Sequence, residues 1–206
     1  MADIRLFRPQ DIDALYAISV ATGHLGGDAS RQFADPRVIG DIFSAPYALL
    51  EPSLALVVED QGRLVGFAVG TLDTARWEAR LERDWWPRLR HRYADSAHVP
   101  AAERNADQMR AFFIHHPTAT PHSVRQGYPA HLHLNLLPEL QGKGWGRRLF
   151  TAWCTTAKRQ GAGALHVLVA RANGRAIGFW ARQGFAALAF DDTKDERRLW
   201  MGRPDQ

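Results

Sequence analysis

Ala130–Arg159, AHLHLNLLPELQGKGWGRRLFTAWCTTAKR, decides how this chain folds. Its first eight residues alternate and read as a strand, Ala130 to Leu137, with His131, His133 and Asn135 on one face and leucines on the other. Three glycines, Gly142, Gly144 and Gly146, then break the chain. From Gly144 to Arg159 the residues Leu149, Phe150, Trp153, Cys154 and Ala157 recur on one face of a helix. A nearly all-apolar strand, Ala164 to Val169, follows, and then a helix from Asn173 to Gln183 stopped by Gly184. Strand, glycine loop, helix, strand, helix is a βαβα unit, so its two strands are expected to lie parallel and adjacent.

Working outward, Phe185–Phe190 and Arg197–Met201 suggest a closing antiparallel pair. Before the unit come a short strand, Ile4 to Phe7, and a helix from Ile12 to about Ala21 behind a potential cap at Asp11. A glycine-rich loop through Asp28-Ala29-Ser30 leads to a helix over Pro36–Phe43, and Leu54–Glu59 with Arg63–Thr71 read as a hairpin turning at Asp60-Gln61-Gly62. Residues 73–129 break the pattern. Trp77, Arg80, Leu81, Asp84, Trp85 and Arg88 suggest a helix ending near Pro87, Ala101–Ile114 a second helix, and Pro117–Pro129 a loop. Bracketed by strands and too small for a core of its own, this stretch reads as an insertion within a single α/β domain spanning residues 1–206.

A chain of 206 residues, 46% apolar, can bury a core without covalent staples. Its single cysteine, Cys154, allows no internal disulfide, and no Cys/His cluster or HExxH spacing argues for a metal. The opening residues MADIRLFRPQD contain no apolar leader, and no run nears the roughly 18 apolar residues of a membrane span. The expectation is a soluble, cytoplasmic protein with no membrane partner. Net charge is +4, unevenly spread: residues 1–75 carry five basic and ten acidic side chains, and the remainder 21 and 12. The basic excess gathers at Gln141–Gln160, which has five cations and no acid. Nucleic acid is not expected, because no recognition motif accompanies the charge and aromatics are not interleaved with it. A small polyphosphate ligand fits better.

The loop Gln141-Gly142-Lys143-Gly144-Trp145-Gly146 carries that chemistry. Glycines let the backbone come close to a ligand, and the unpaired N–H groups at the start of the following helix suit a pyrophosphate. It is neither GxxxxGK[ST] nor GxGxxG. A tight turn with no ligand is the plain alternative. Leu134–Gly146 resembles the acetyl-CoA signature of the GNAT superfamily of acyl-CoA N-acyltransferases, whose loop Q/R-x-x-G-x-G/A is matched by Gln141, Gly144 and Gly146. A second block resembles that superfamily's later helix, N-x-x-A-x-x-F-[Y]-x-x-x-G-F, at Asn173, Ala176, Phe179, Gly184 and Phe185. Asp28-Ala29-Ser30, the Trp85-Trp86-Pro87 to Tyr93 segment and the helical insertion are also similar to bacterial relatives of the acetyltransferase-like C-terminal domain of O-GlcNAcases.

The resemblance implies a mixed, mostly antiparallel sheet with helices on both faces, splayed where two parallel strands meet acetyl-CoA. Backbone from Gly142 to Arg147 would hold the pyrophosphate, with charge from Lys143 and Arg147. The strand edge near Leu136 would pair with the pantetheine arm, Asn173 would bond it from the other side, and Phe179 and Trp180 would border it. Trp145 would stack on the protein or on the adenine. The implied reaction is direct transfer of acetyl from acetyl-CoA to the primary amine of an unidentified acceptor.

Two positions depart from the family pattern. The tyrosine that often protonates the departing thiolate is Trp180 here, and all four tyrosines precede the loop. A thiol of pKa about 8.5 leaves as thiolate at pH 7 for only about 2 kcal/mol, so this loss slows catalysis without abolishing it. The family's usual base would fall at Ala130 or Leu132, on the leucine face. His133, then His131, are therefore the candidate bases, a structural histidine being the bland reading of either, with His115, His116, Asp95 and Glu103 further candidates. Trp77, Trp85, Trp86, Phe112 and Phe113 would be core or would wall a substrate cleft. Losing both acid and base would instead leave an acetyl-CoA-binding recognition module.

Overall fold

Gln61 and Gly62 both adopt positive φ, 50° and 77°, as a two-residue turn matched to the twist of its strands requires. They close the hairpin of β2 (Leu56–Asp60) and β3 (Arg63–Thr71). Around it, in a computed structural model describing residues 2–193 and 195–205, the chain forms one seven-stranded sheet. The other strands are β1 (Asp3–Leu6), β4 (Ala130–Leu136), β5 (Leu165–Ala170), β6 (Ala186–Ala187) and β7 (Arg198–Arg203). Their order is β1-β2-β3-β4-β5-β7-β6, and only β4 and β5 run parallel. The mixed, mostly antiparallel sheet expected from the sequence is what forms.

Helices cover both faces. On one lie α1 (Ile12–Ala21), α2 (Val38–Phe43), α3 (Ala45–Leu50), α4 (Thr74–Asp84), α5 (Trp86–Arg92) and α6 (Ala106–His115). They bury Leu15, Ile39, Tyr47, Trp77, Trp86 and Ile114 against Val57, Phe67 and Val69 of the sheet. Beyond a short α7 (His122–Gly127), α8 (Trp145–Arg159) and α9 (Gly174–Arg182) cover the other face, packing Leu149, Phe150, Trp153 and Trp180 with Leu132 and Leu136. Helices α4–α6 of the insertion thus share the core of α1–α3. Among the described residues no helix is long and apolar enough to cross a membrane.

The insertion differs from its sequence reading in three places. Pro87 opens α5 instead of ending a helix, since a proline in the first turn sacrifices no hydrogen bond. The break falls at Trp85, whose indole donates to the Asp41 carbonyl at 2.8 Å. α6 starts at Ala106, not Ala101, because Asn105 and Gln108 form a reciprocal cap, each side chain accepting the other's backbone N–H at 2.9 Å. Part of the expected 117–129 loop is helical, as α7. Elsewhere, the expected Pro36–Phe43 helix is shortened to α2 and followed by α3, and the expected Phe185–Phe190 strand shrinks to two residues.

Gly70 on β3 is where the two layers press hardest. A Cβ there would meet the His131 carbonyl oxygen, and would lie 2.6 Å from the Trp153 ring and 3.0 Å from the Leu132 Cα. Backbone on one side and a fully buried indole on the other leave nothing free to move. Gly70→Ala is expected to destabilise the fold by about 1–3 kcal/mol in urea unfolding. Gly127→Ala, where no atom lies within 4 Å, should stay within about 0.5 kcal/mol of the parent.

Candidate functional site

β4 and β5 pair only at Ala130↔Leu165 and His131↔His166, and then separate. The gap becomes a cleft of about 1300 Å³. Leu134, Asn135 and Leu136 of β4 form one wall, α8 and α9 supply the others, and Thr22, Leu25 and Gly26 close one end. Among the described residues five cations line it, Arg147, Lys158, Arg175, Arg182 and Arg203, and no carboxylate does.

The glycine loop is shaped for close approach. Gly142 and Gly144 take φ of 74° and 80°, and nothing lies within 4 Å of where their Cβ atoms would be. Gly144 is also the N-cap of the 15-residue α8, so unpaired N–H groups and the positive helix end meet at the cleft mouth. The Gln141 side chain is occupied by the protein: it donates to the carbonyls of Leu136 (2.8 Å) and Gly26 (3.0 Å) and accepts from Arg175 (2.9 Å). It braces the loop. Asn173 caps α9 by accepting the Ala176 N–H at 3.0 Å, which leaves its side-chain amide N–H groups available to the cleft.

Gly142, Gly144, Gly146, Arg147, Asn173, Phe179 and Trp180 all line this cleft, as do Leu136 and Gln141. Lys143 and Trp145 do not. Lys143 is exposed, and Trp145 is half-buried under the Arg148 guanidinium, 3.9 Å from its ring centroid. Trp180 sits in an aromatic cluster with Phe150, Phe179 and Phe185, at centroid distances of 4.9–5.6 Å. Cys154, on the apolar face of α8, is half-buried, borders the cleft and lies 3.6 Å from Arg203 Nη1. Burial raises its thiol pKa, so it is no ready nucleophile. Arg175, Arg182 and Arg203 went unread in the sequence because they face the cleft only once α9 and β7 are folded against it.

On the other face of β4 the alternation brings His131 and His133 together as expected, while Asn135, further along the strand, reaches the end of the cleft and donates to the Thr22 hydroxyl at 2.7 Å. The hydrogen bonds among them have a direction. The Thr74 hydroxyl donates to the Pro129 carbonyl at 2.7 Å, so at its 2.6 Å contact with His131 it must accept, from Nδ1–H. His131 Nε2 is then the lone pair that receives the Tyr47 hydroxyl proton at 2.7 Å. The Tyr47 oxygen in turn accepts from His133 Nε2–H at 3.3 Å, which leaves the His133 lone pair on Nδ1. Burial pushes the His133 pKa down to about 4 and that of His131 well below its usual value, each with help from neighbouring His166. Both rings are therefore neutral at pH 7, and Tyr47, its pKa raised by burial, stays protonated.

Tyr47 is the member of this chain that the sequence reading missed, since it arrives from α3, a helix that reading lacked. The Thr74 contact was likewise invisible. His115 and His116 lie elsewhere, on the Tyr93 carbonyl (2.7 Å) and on Asp95 (2.9 Å), and neither reaches β4. Among the described residues no group of three or more His, Cys, Asp or Glu side chains could hold a metal.

Comparison with known proteins agrees with this geometry. Residues 28–185 match the model of the acetyltransferase (GNAT) family. A crystal structure described as SsHAT is 36% identical over 98% of both chains, with a TM-score of 0.90. Two more distant structures share the fold. A PaiA N-acetyltransferase from Thermoplasma acidophilum in complex with coenzyme A is 14% identical over 99% of both chains, with a TM-score of 0.54. YncA from Salmonella typhimurium, a putative acetyltransferase with acetyl-CoA, is 17% identical over 98% of this chain and 93% of its own, with a TM-score of 0.56. With its splayed parallel pair, its glycine loop and a family match across most of its length, the chain belongs to the acetyltransferase (GNAT) family.

Proposed function

We propose that the protein is an N-acetyltransferase that moves the acetyl group of acetyl-CoA directly onto an amine. The observation that carries this reading is an acid-free cationic cleft beside a strand whose other face presents a neutral, oriented histidine. The residues present fit acetyl-CoA: backbone N–H groups of residues 142–147 and Arg147 for the pyrophosphate, the free edge of β4 near Leu136 for the amide-bearing arm, and the Asn173 amide opposite. When bound, acetyl-CoA supplies an acetyl group already activated as a thioester. The chain's own contribution is then to remove a proton from the incoming amine and to hold it in place.

His133 Nδ1 is the base in this reading. Tyr47 is a positioning residue, which fixes the His133 tautomer by accepting from Nε2–H while its own proton is held by His131. No tyrosine occupies the Trp180 position, so the thiolate leaves unassisted by an acid from α9. The similarity of Asp28–Ser30 and Trp85–Tyr93 to the acetyltransferase-like domain of O-GlcNAcases supports, within the same proposal, a kinship to that branch. The single cysteine fits a reducing, cytoplasmic setting.

Acetyl-CoA is expected to raise the melting temperature, and Gly144→Val to weaken its affinity at least about tenfold, since a branched side chain strains the αL backbone and fills the loop. Thiol release across an amine panel reads turnover. His133→Ala should lower kcat by about 10²- to 10⁴-fold and Tyr47→Phe by about tenfold, both with acetyl-CoA affinity unchanged. Acetyl-CoA binding with no thiol release for any amine would overturn the transfer reading in favour of a recognition module.

The pH profile provides an independent check. With a pKa of about 4, His133 is neutral above pH 5, so the remaining ionisation is that of the acceptor ammonium, which must lose a proton to react. kcat/KM should rise about tenfold per pH unit and level off at the acceptor's own pKa, shifting when the acceptor is changed. A limb fixed near pH 6.5 for every amine would instead mean that a histidine titrates there.

A further inference from the structure

Arg110 stands apart from the other half-buried arginines of the insertion. Arg80, Arg90 and Arg125 are each paired with a carboxylate, Glu51, Glu82 and Glu78, and Arg104 donates to the carbonyls of Ser96 and Val99. Arg110 has no hydrogen bond and no ion pair among the described residues, yet burial lowers its pKa with no carboxylate opposing the shift. None of its nitrogens is sealed from water without a partner, so the guanidinium is half-buried and still open to solvent. A desolvated cation without an anion is unfavourable, and one that is still reachable invites a ligand.

Its position fits an acceptor. The guanidinium carbon lies 5.4 Å from the Phe43 ring centroid, and Phe43 lies 5.7 Å from the His133 ring. Those two distances hold the guanidinium within about 11 Å of the imidazole. Phe43 also packs on Phe113, at 6.3 Å, one turn along α6 from Arg110. An aromatic floor therefore runs from the base to an unpaired cation, on the sheet face from which an amine must reach His133.

We propose that Arg110 is a specificity-determining residue that binds a carboxylate of the acceptor, so that the substrates are amines bearing a carboxylate within a short chain's reach, such as amino acids or small peptides. A guanidinium holds a carboxylate by two parallel N–H donations, and one cation balances this monoanion where it would under-compensate a phosphate dianion. The proposal rests on the acetyl-transfer reading, and its test separates the two by reading binding instead of turnover.

Calorimetry on the protein saturated with CoA would compare N-acetylglycine, N-acetyl-β-alanine and N-acetyl-γ-aminobutyrate, each against its own primary amide, with O-phospho-N-acetylethanolamine as the phosphate arm. At least one acid should bind about 30-fold more tightly than its amide and more tightly than the phosphate. Arg110→Gln should level the acid with its amide, and Arg110→Lys should restore part of the difference, with CoA affinity and melting temperature unchanged in both. If no acid outbinds its amide, if the phosphate binds best, or if the preference survives Arg110→Gln, the proposal is overturned. Selective acid binding by a protein that releases no thiol with any amine would uphold Arg110 while removing the transfer reading.

Discussion

The site exists because two neighbouring parallel strands stop pairing after two residues. Beyond His131↔His166, β4 and β5 no longer hydrogen-bond to each other, but neither is left loose. β4 is held along its outer edge by six residue pairs to β3, and β5 along its own by six to β7. Each strand is anchored on the far side, so the gap cannot close by collapse, and the backbone groups inside it are left for a ligand. α8 and α9 then wall the gap, and the start of α8 falls at its mouth because β4 feeds directly into the glycine loop.

The two faces of β4 therefore do different electrostatic work. The leucine face, with α8 and α9, leads to a cleft lined by cations, suited to a charged ligand that stays near water. The histidine face is half-buried under the helices of the other layer, and that burial keeps His131 and His133 neutral, which leaves the Nδ1 lone pair of His133 unprotonated at pH 7. The uneven charge along the sequence foreshadows this only partly. The basic run after Gln141 supplies Arg147 and Lys158, but Arg175, Arg182 and Arg203 come from elements remote in sequence.

Local periodicity explains which features were legible. The glycine loop, the βαβα order and the alternating histidines are all encoded within a few residues of one another, and all three appear where the pattern put them. What the pattern could not carry was tertiary. Pro87 is compatible with the end of one helix or the first turn of the next, and only the packing of Trp85 against Asp41 decides between them. The Pro46-containing helix α3 is six residues long, too short to show a period, so Tyr47 carried no signal of a functional role. Arg110 looked like any arginine on a polar helix face until its missing carboxylate could be seen.

The Tyr47 ring that orients His133 is itself stacked on Trp77, with centroids 4.3 Å apart, and Trp77 belongs to the first helix of the insertion. The segment that would choose the acceptor and the segment that would aim the base are thus mechanically one piece. An insertion transplanted from a relative would have to bring its own partner for Tyr47, so new acceptor preferences in this lineage are more accessible through substitutions on the α6 surface than through wholesale exchange of residues 73–129.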